Sequence, residues 1–296
     1  MKALRGCILL AGSVACLSET PGAAVPRADL HVQLLDLRDG ALLQDQRLRV
    51  QVNLPLEPSS VLRQSFGIVD LGTGRVLSPP VRYEPVSRQL LVDLISPGLQ
   101  LAEAGHTYTL RIWAPSDKGS TVWLRSVEGD VLGPNLVTRT WTFRVDAGSG
   151  VPAMPPPEFC NNVLPLFRAQ CTQCHAGERA AMGMDLSSAE GVTRSALRVS
   201  SLLARRTPGM IPGTAPLGTA MPRLEPGNPG ISMVLYKTLL APAADETSED
   251  ARARLMLGEA IPGAPMGHLS QADKRVLSTW IAAGASAPDC GPAAQR

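Results

Sequence analysis

The stretch Phe167-Arg-Ala-Gln-Cys171-Thr-Gln-Cys174-His175 decides how the second half of this chain folds. Two cysteines separated by two residues and followed directly by histidine form the attachment pattern of a c-type haem. The spacing has a chemical cause, because two thiols three positions apart on one helical turn can form thioethers with the two haem vinyl groups. The following residue can then ligate the iron from the proximal side. The sequence therefore predicts one covalent haem c on Cys171 and Cys174, with His175 as iron ligand.

Other interpretations of this cysteine pair stay open at the level of the sequence. A zinc site would need a second pair of Cys or His at similar spacing, whereas Cys160, Cys290 and His268 each stand alone. A thioredoxin-like redox pair would need a βαβ setting. The apolar residues before the pair recur instead at helical spacing, and Pro165 is expected to bend or shorten that helix. A disulfide within the pair is the third alternative.

Four motifs follow one another between residues 158 and 287, at positions 163–175, 183–187, 225–239 and 266–285. In this order they resemble a subgroup of exported, class I-like cytochrome c domains. One departure is Gly267, where that family usually has proline. The resemblance implies an all-α, cytochrome c-like haem domain over residues 158–290, with one-electron transfer as its activity.

The end of the chain predicts a closing helix. Ser270 and Asp273 form an N-terminal capping pattern, and Gly284 is a helix stop. The apolar face of this helix consists of Val276, Leu277, Trp280 and Ile281. Because the first and last helices cross in the cytochrome family, the resemblance implies that Trp280 packs on Phe167.

The sixth iron ligand is predicted less directly. The resemblance favours Met266, which precedes the last helix at the ligand position of the family. Met221 is the main rival, and Met210 and His268 follow. An open sixth position would change the function, because an exchangeable site permits a haem-based ligand sensor or a peroxidase-like enzyme.

The same resemblance suggests a disulfide between Cys160 and Cys290. These two cysteines flank the first and last helices, which pack together in a cytochrome c. The alternative is two free thiols.

Residues 27–146 predict an all-β sandwich. Short runs at 31–37, 47–54, 89–94, 108–113 and 141–145 alternate apolar and polar residues, and turn residues separate them. Four aromatic residues are expected in its core: Phe66, Trp113, Trp141 and Phe143. The order of motifs at 53–60, 99–110 and 141–143 resembles the bacterial Ig-like domains of surface-layer proteins, although the segment 118–135 is longer here. That family implies a spacer or adhesive role.

Two further segments organise the chain. Residues 147–157 form a Gly- and Pro-rich linker between the predicted domains. Lys2 and Arg5 precede a short apolar run, so residues 1–15 predict a secretory signal peptide. This run ends in Ser13-Val-Ala-Cys16, which resembles a bacterial lipobox and implies lipidation of Cys16. Cleavage by ordinary signal peptidase nearby is the alternative.

The composition restricts the function further. A net charge of +2 over 296 residues gives no reason to expect nucleic-acid binding, and no nucleophile motif or phosphate-binding loop is present. The sequence therefore predicts a multidomain electron carrier rather than an enzyme. It is expected to be exported, as a periplasmic, outer-membrane or cell-surface lipoprotein, to attach to the membrane through Cys16 and to use a redox partner. A second alternative is an adhesive or structural envelope protein with an accessory haem domain.

Overall fold

The computed structural model describes residues 29–291, except positions 36, 38–39, 44–46, 97–98, 120, 136, 148–154, 202–220, 244 and 258–268. In this part, eleven strands lie between Val32 and Asp146, and five α-helices lie between Leu164 and Ala282. The predicted signal peptide, Cys16 and Met266 fall outside the described residues. No described helix is long and apolar enough to span a membrane.

Two main β-sheets form the N-terminal half, which comprises the described residues up to 147. The strands are β1 (Val32–Leu35), β2 (Ala41–Leu43), β3 (Leu48–Val52), β4 (Phe66–Asp70), β5 (Val76–Leu77), β6 (Val81–Glu84), β7 (Gln89–Val92), β8 (Ile95–Ser96), β9 (Leu99–Gln100), β10 (Thr107–Ile112) and β11 (Thr140–Asp146). One sheet has the order β1-β3-β7-β6 and the other β2-β11-β10-β4-β5, while β8 and β9 form a separate pair. All the strand pairs are antiparallel except β2 with β11.

Alternation along the strands builds one core between the two sheets. In β10 the side chains of Tyr108, Leu110 and Ile112 are buried, and they share a hydrophobic cluster with residues of the other sheet. Phe66 and Phe143 are buried as predicted, but Trp113 and Trp141 are only partly buried. The prediction failed for Trp113 because inward positions on β10 are even-numbered. Trp113 therefore lies on the outer side, with the Arg111 guanidinium 4.6 Å from its ring centre.

Five α-helices form the C-terminal half, which comprises the described residues from 155. They are α1 (Leu164–Gln170), α2 (Ala189–Ser195), α3 (Met233–Leu239), α4 (Ser248–Leu257) and α5 (Gln271–Ala282). A π-helical turn, Phe159–Val163, precedes α1. Pro165 lies in the first turn of α1, directly after the π-helical turn. The helical segment continues through this proline from Phe159 to Gln170, and the proline coincides with the change from π- to α-helix.

Helix α5 closes a second hydrophobic core. Ser270 and Asp273 form the predicted capping box, and the chain turns at Gly284 with φ of 106°. The Trp280 ring meets that of Phe167 edge-on, with centroids 6.1 Å apart, as the resemblance implied. The chain is thus a multidomain protein of β-sheets and helices. The division is not strict, since short 3-10 turns occur in the N-terminal half and isolated β-bridges in the C-terminal half.

The segment before β11 is held by a buried ion pair. Arg139, 1% exposed, forms two hydrogen bonds to the carboxylate of Asp117 and donates to the carbonyl oxygens of Ile112 and Pro134. Arg139 holds the pKa of Asp117 well below its ordinary value. These bonds fix the long 118–135 segment to the end of β10.

The two halves contact each other directly along the hairpin of β6 and β7. A Cβ atom added to Gly230 would lie 2.7 Å from the carbonyl oxygen of Tyr83, so only glycine fits there. The Ser278 hydroxyl of α5 donates to the carboxylate of Glu84. Val86, in the turn of the hairpin, belongs to the hydrophobic core of the C-terminal half.

Arg88 completes this contact. Its side chain is only 10% exposed, and its guanidinium forms ion pairs with Glu249 at 2.8 Å and Asp250 at 3.1 Å, both in α4. Both acidic residues lie in the first turn of α4 and bind the opposite half of the chain.

A hydrogen-bonded ion pair links β4 to the residue before β10 and makes stability depend on pH. The His106 Nδ1 atom lies 2.7 Å from the Asp70 carboxylate. This hydrogen bond lowers the pKa of Asp70 to about 2 and raises the pKa of His106. The Asp70 contribution is therefore present above its unfolded pKa of about 3.9 and lost as pH falls through about 2. The His106 contribution is present below about 6.5 and lost as pH rises through its raised folded pKa.

We expect His106→Gln to lower the urea midpoint of the N-terminal half more at pH 5.5 than at pH 9. Unfolding followed by tryptophan fluorescence at both pH values measures this difference. The exposed His31 provides the control, and His31→Gln should change the midpoint little at either pH. An equal loss for His106→Gln at the two pH values would contradict the assignment.

Candidate functional site

Helix α1 leads directly into the Cys-Thr-Gln-Cys-His stretch. The amide of Cys171 donates to Phe167 at 2.7 Å, and the amides of Cys174 and His175 both turn back to the Cys171 carbonyl, at 3.2 and 2.9 Å. The His175 carbonyl in turn accepts from the amide of Leu186 at 2.9 Å. Backbone hydrogen bonds therefore fix both cysteines and the histidine on one compact turn.

Both thiols of this turn are free. Cys171 packs partly buried against the hydrophobic core, whereas Cys174 is exposed. Burial raises the pKa of Cys171 to about 11. Reactive redox cysteines have lowered pKa values, so the thiol–disulfide alternative gains no support. The described residues contain no group of three or more His, Cys, Asp or Glu side chains that could hold a metal ion, as a zinc site would need.

His175 is oriented by hydrogen bonds to backbone carbonyl groups. Its Nδ1 atom lies 3.2 Å from the carbonyl oxygen of Met184, which can only accept, and the backbone of Ala181 also bonds to the imidazole. Burial lowers the pKa of the imidazole, which favours the neutral form. A neutral imidazole with a protonated Nδ1 has its lone pair on Nε2, the form in which histidine ligates a metal.

Met184 lies in the 183–187 sequence motif, but the sequence predicts no role for its carbonyl. Met182 and Gly183 both have left-handed backbone conformations, with φ of 59° and 64°. The guanidinium of Arg223 donates to the carbonyl oxygens of both residues. A glycine in the 183–187 motif gives a sequence signal for the turn, but nothing local links it to an arginine 40 positions away.

The candidates for the sixth ligand are only partly described. Met221 is 4% exposed and belongs to the hydrophobic core that also contacts Cys171 and Met184. Met266, Met210 and His268 lie outside the described residues.

Cys160 and Cys290 are joined by a disulfide, with Cα atoms 5.6 Å apart. The bridge connects the π-helical turn before α1 to the segment after α5. It links the two ends of the C-terminal half across a sequence separation of 130.

This set of donors fits covalent attachment of a haem. Two unpaired thiols occupy one turn three positions apart, and the Nδ1 atom of the adjacent imidazole lies within hydrogen-bond distance of a backbone carbonyl oxygen. Cys171 and Cys174 would hold the haem through thioethers and His175 would ligate its iron. No other described residues combine these features.

Comparison with known proteins adds little. No protein-family model and no curated protein matches the chain. Two solved structures, of the surface layer protein SbsC domains 1-6 and of the S-layer protein rSbsC(31-844), are weakly similar to it. Each match has a TM-score of 0.29 and covers 45% of this chain and 16% of the other chain, at 18% and 19% identity respectively. The matched part is thus a small fraction of those proteins.

Proposed function

We propose that this chain carries one haem c, bound through Cys171 and Cys174, and transfers single electrons at the bacterial cell envelope. The observation that carries the proposal is the hydrogen bond from His175 Nδ1 to the Met184 carbonyl, beside two free thiols on one turn. A bound haem supplies an iron that cycles between two oxidation states. The chain's own residues attach the group, orient the imidazole and exclude water from one side through the core behind Cys171.

The fold supports the same proposal in more detail. We assign the C-terminal half to the cytochrome c-like class, since α1 and α5 cross through Phe167 and Trp280. We assign the N-terminal half to an Ig-like sandwich that acts as a spacer, because two sheets share one core. Met266 is the proposed sixth ligand, with Met221 as the alternative.

The setting is also part of the proposal. The charged and apolar segment of residues 1–15 supports export, and the sequence ending at Cys16 supports a lipid anchor. The disulfide between Cys160 and Cys290 suits an oxidising compartment. The proposed partner is a redox protein or another electron carrier of the envelope.

We expect Cys171→Ala/Cys174→Ala to abolish covalent haem staining on a denaturing gel, because no thioether can then form. The experiment uses the full chain produced in bacteria that have a c-type haem attachment system. Cys160→Ala/Cys290→Ala is the matched control, since it removes the same number of cysteines from the same half and should retain the stain. Staining that persists without Cys171 and Cys174, or wild-type protein that takes up no haem, would overturn the proposal.

A further inference from the structure

Arg223 is buried, and in the described part of the chain its guanidinium donates to three backbone carbonyl oxygens. Its Nη1 atom donates to Gly183 at 3.0 Å and to Ser195 at 2.6 Å, and its Nη2 atom donates to Met182 at 2.5 Å. One guanidinium thus joins the 182–183 loop to the C-terminal end of α2. The residue is 7% exposed, so these bonds are shielded from water.

The bonded loop is the one that orients His175. Met182 is a non-glycine residue in a left-handed conformation, which is strained and persists only when its surroundings hold it. Arg223 binds the carbonyls of both left-handed residues. The next carbonyl along the chain, that of Met184, accepts the hydrogen bond from His175 Nδ1 at 3.2 Å. Any movement of the loop would therefore change the orientation of the imidazole.

Among the described residues, no carboxylate forms an ion pair with Arg223, in contrast to Arg139 and Arg88. The guanidinium of Arg223 bonds the carbonyl oxygens of Met182 and Gly183, and the carbonyl of the next residue, Met184, is bonded to His175. A cation held away from water acts more strongly on its neighbours than an exposed one.

We propose that Arg223 is a positioning residue that holds His175 in its ligating orientation and raises the reduction potential of the attached haem. The inference rests on the proposed haem function. The oxidised haem carries one more positive charge than the reduced haem, so a cation held nearby favours reduction. The hydrogen bonds to the loop act on the ligand as outer-shell partners do at metal sites.

The test is the midpoint potential of the full-length holoprotein, measured by spectroelectrochemical titration. We expect Arg223→Gln to shift the redox equilibrium about tenfold towards the oxidised form, which is a potential about 59 mV more negative for a one-electron couple. Arg223→Lys keeps the charge, so its redox equilibrium constant should stay within about threefold of the wild-type value. Because lysine cannot form all the hydrogen bonds to the 182–183 loop, this variant should have a lower thermal midpoint.

Arg194→Gln is the control, because it removes the same charge from an exposed position in α2 and should not move the potential. If Arg223→Gln leaves the potential unchanged, or Arg194→Gln moves it equally, the inference is wrong. If Arg223→Gln does not accumulate, Arg223→Lys decides, and a tenfold shift in that variant overturns the role of the charge. A wild type without covalent haem would instead overturn the proposed function itself.

Discussion

Replacing both Cys160 and Cys290 with serine is expected to lower the free energy of unfolding of the C-terminal half by up to about 5 kcal/mol. The cysteines are 130 positions apart, and a loop of that length gives about this value in the chain-entropy model. Urea unfolding followed by circular dichroism at 222 nm reports on the helices, which lie in this half.

The wild-type protein provides the internal control for this effect. With a thiol reductant, the wild type should unfold at the midpoint of the double variant, while the midpoint of the double variant should not change. Equal midpoints for the wild type and the double variant without reductant would show that the bridge does not stabilise the fold.

Arg139→Met is expected to destabilise the N-terminal half by about 3–5 kcal/mol, because it leaves the buried carboxylate of Asp117 without its main partner. The carbonyl oxygens of Ile112 and Pro134 also lose a donor. Hydrogen exchange of the β10 and β11 amides, read by mass spectrometry, measures the loss in the half that contains the pair.

Arg144→Met is the matched control for the buried pair. Arg144 and Asp146 form an ion pair of similar geometry on β11, but it is exposed, and such pairs contribute about 1 kcal/mol or less. Similar exchange rates in the two variants would mean that the buried Arg139 pair contributes no more to stability than the exposed pair.

Much of the fold could be predicted because its signals are local. Period-two alternation located β3, β7, β10 and β11 to within a few residues, and the capping box placed the start of α5. The parallel pairing of β2 with β11 could not be predicted, because it joins segments a hundred positions apart without a shared pattern. Trp113 was misplaced for a related reason, since the strand ends one residue before it and its face depends on register.

The candidate site divides in the same way. The Cys171–His175 turn is a contiguous motif, so the sequence predicts it directly. Arg223 and the Met184 carbonyl act through contacts across 41 and 9 positions, and no periodicity encodes such contacts. Arg88 is another example, because nothing in the sequence around it predicts that it is buried against α4.

The contact between the halves has a mechanical consequence. Gly230, Glu84 and Arg88 connect the halves through side chains and close backbone approach, in parallel with the peptide connection. The N-terminal half and the Cys171–His175 turn are therefore expected to rotate together. Lengthening the connecting segment would not extend the reach of that turn. The rate at which this turn meets another molecule then depends on the orientation of the whole protein.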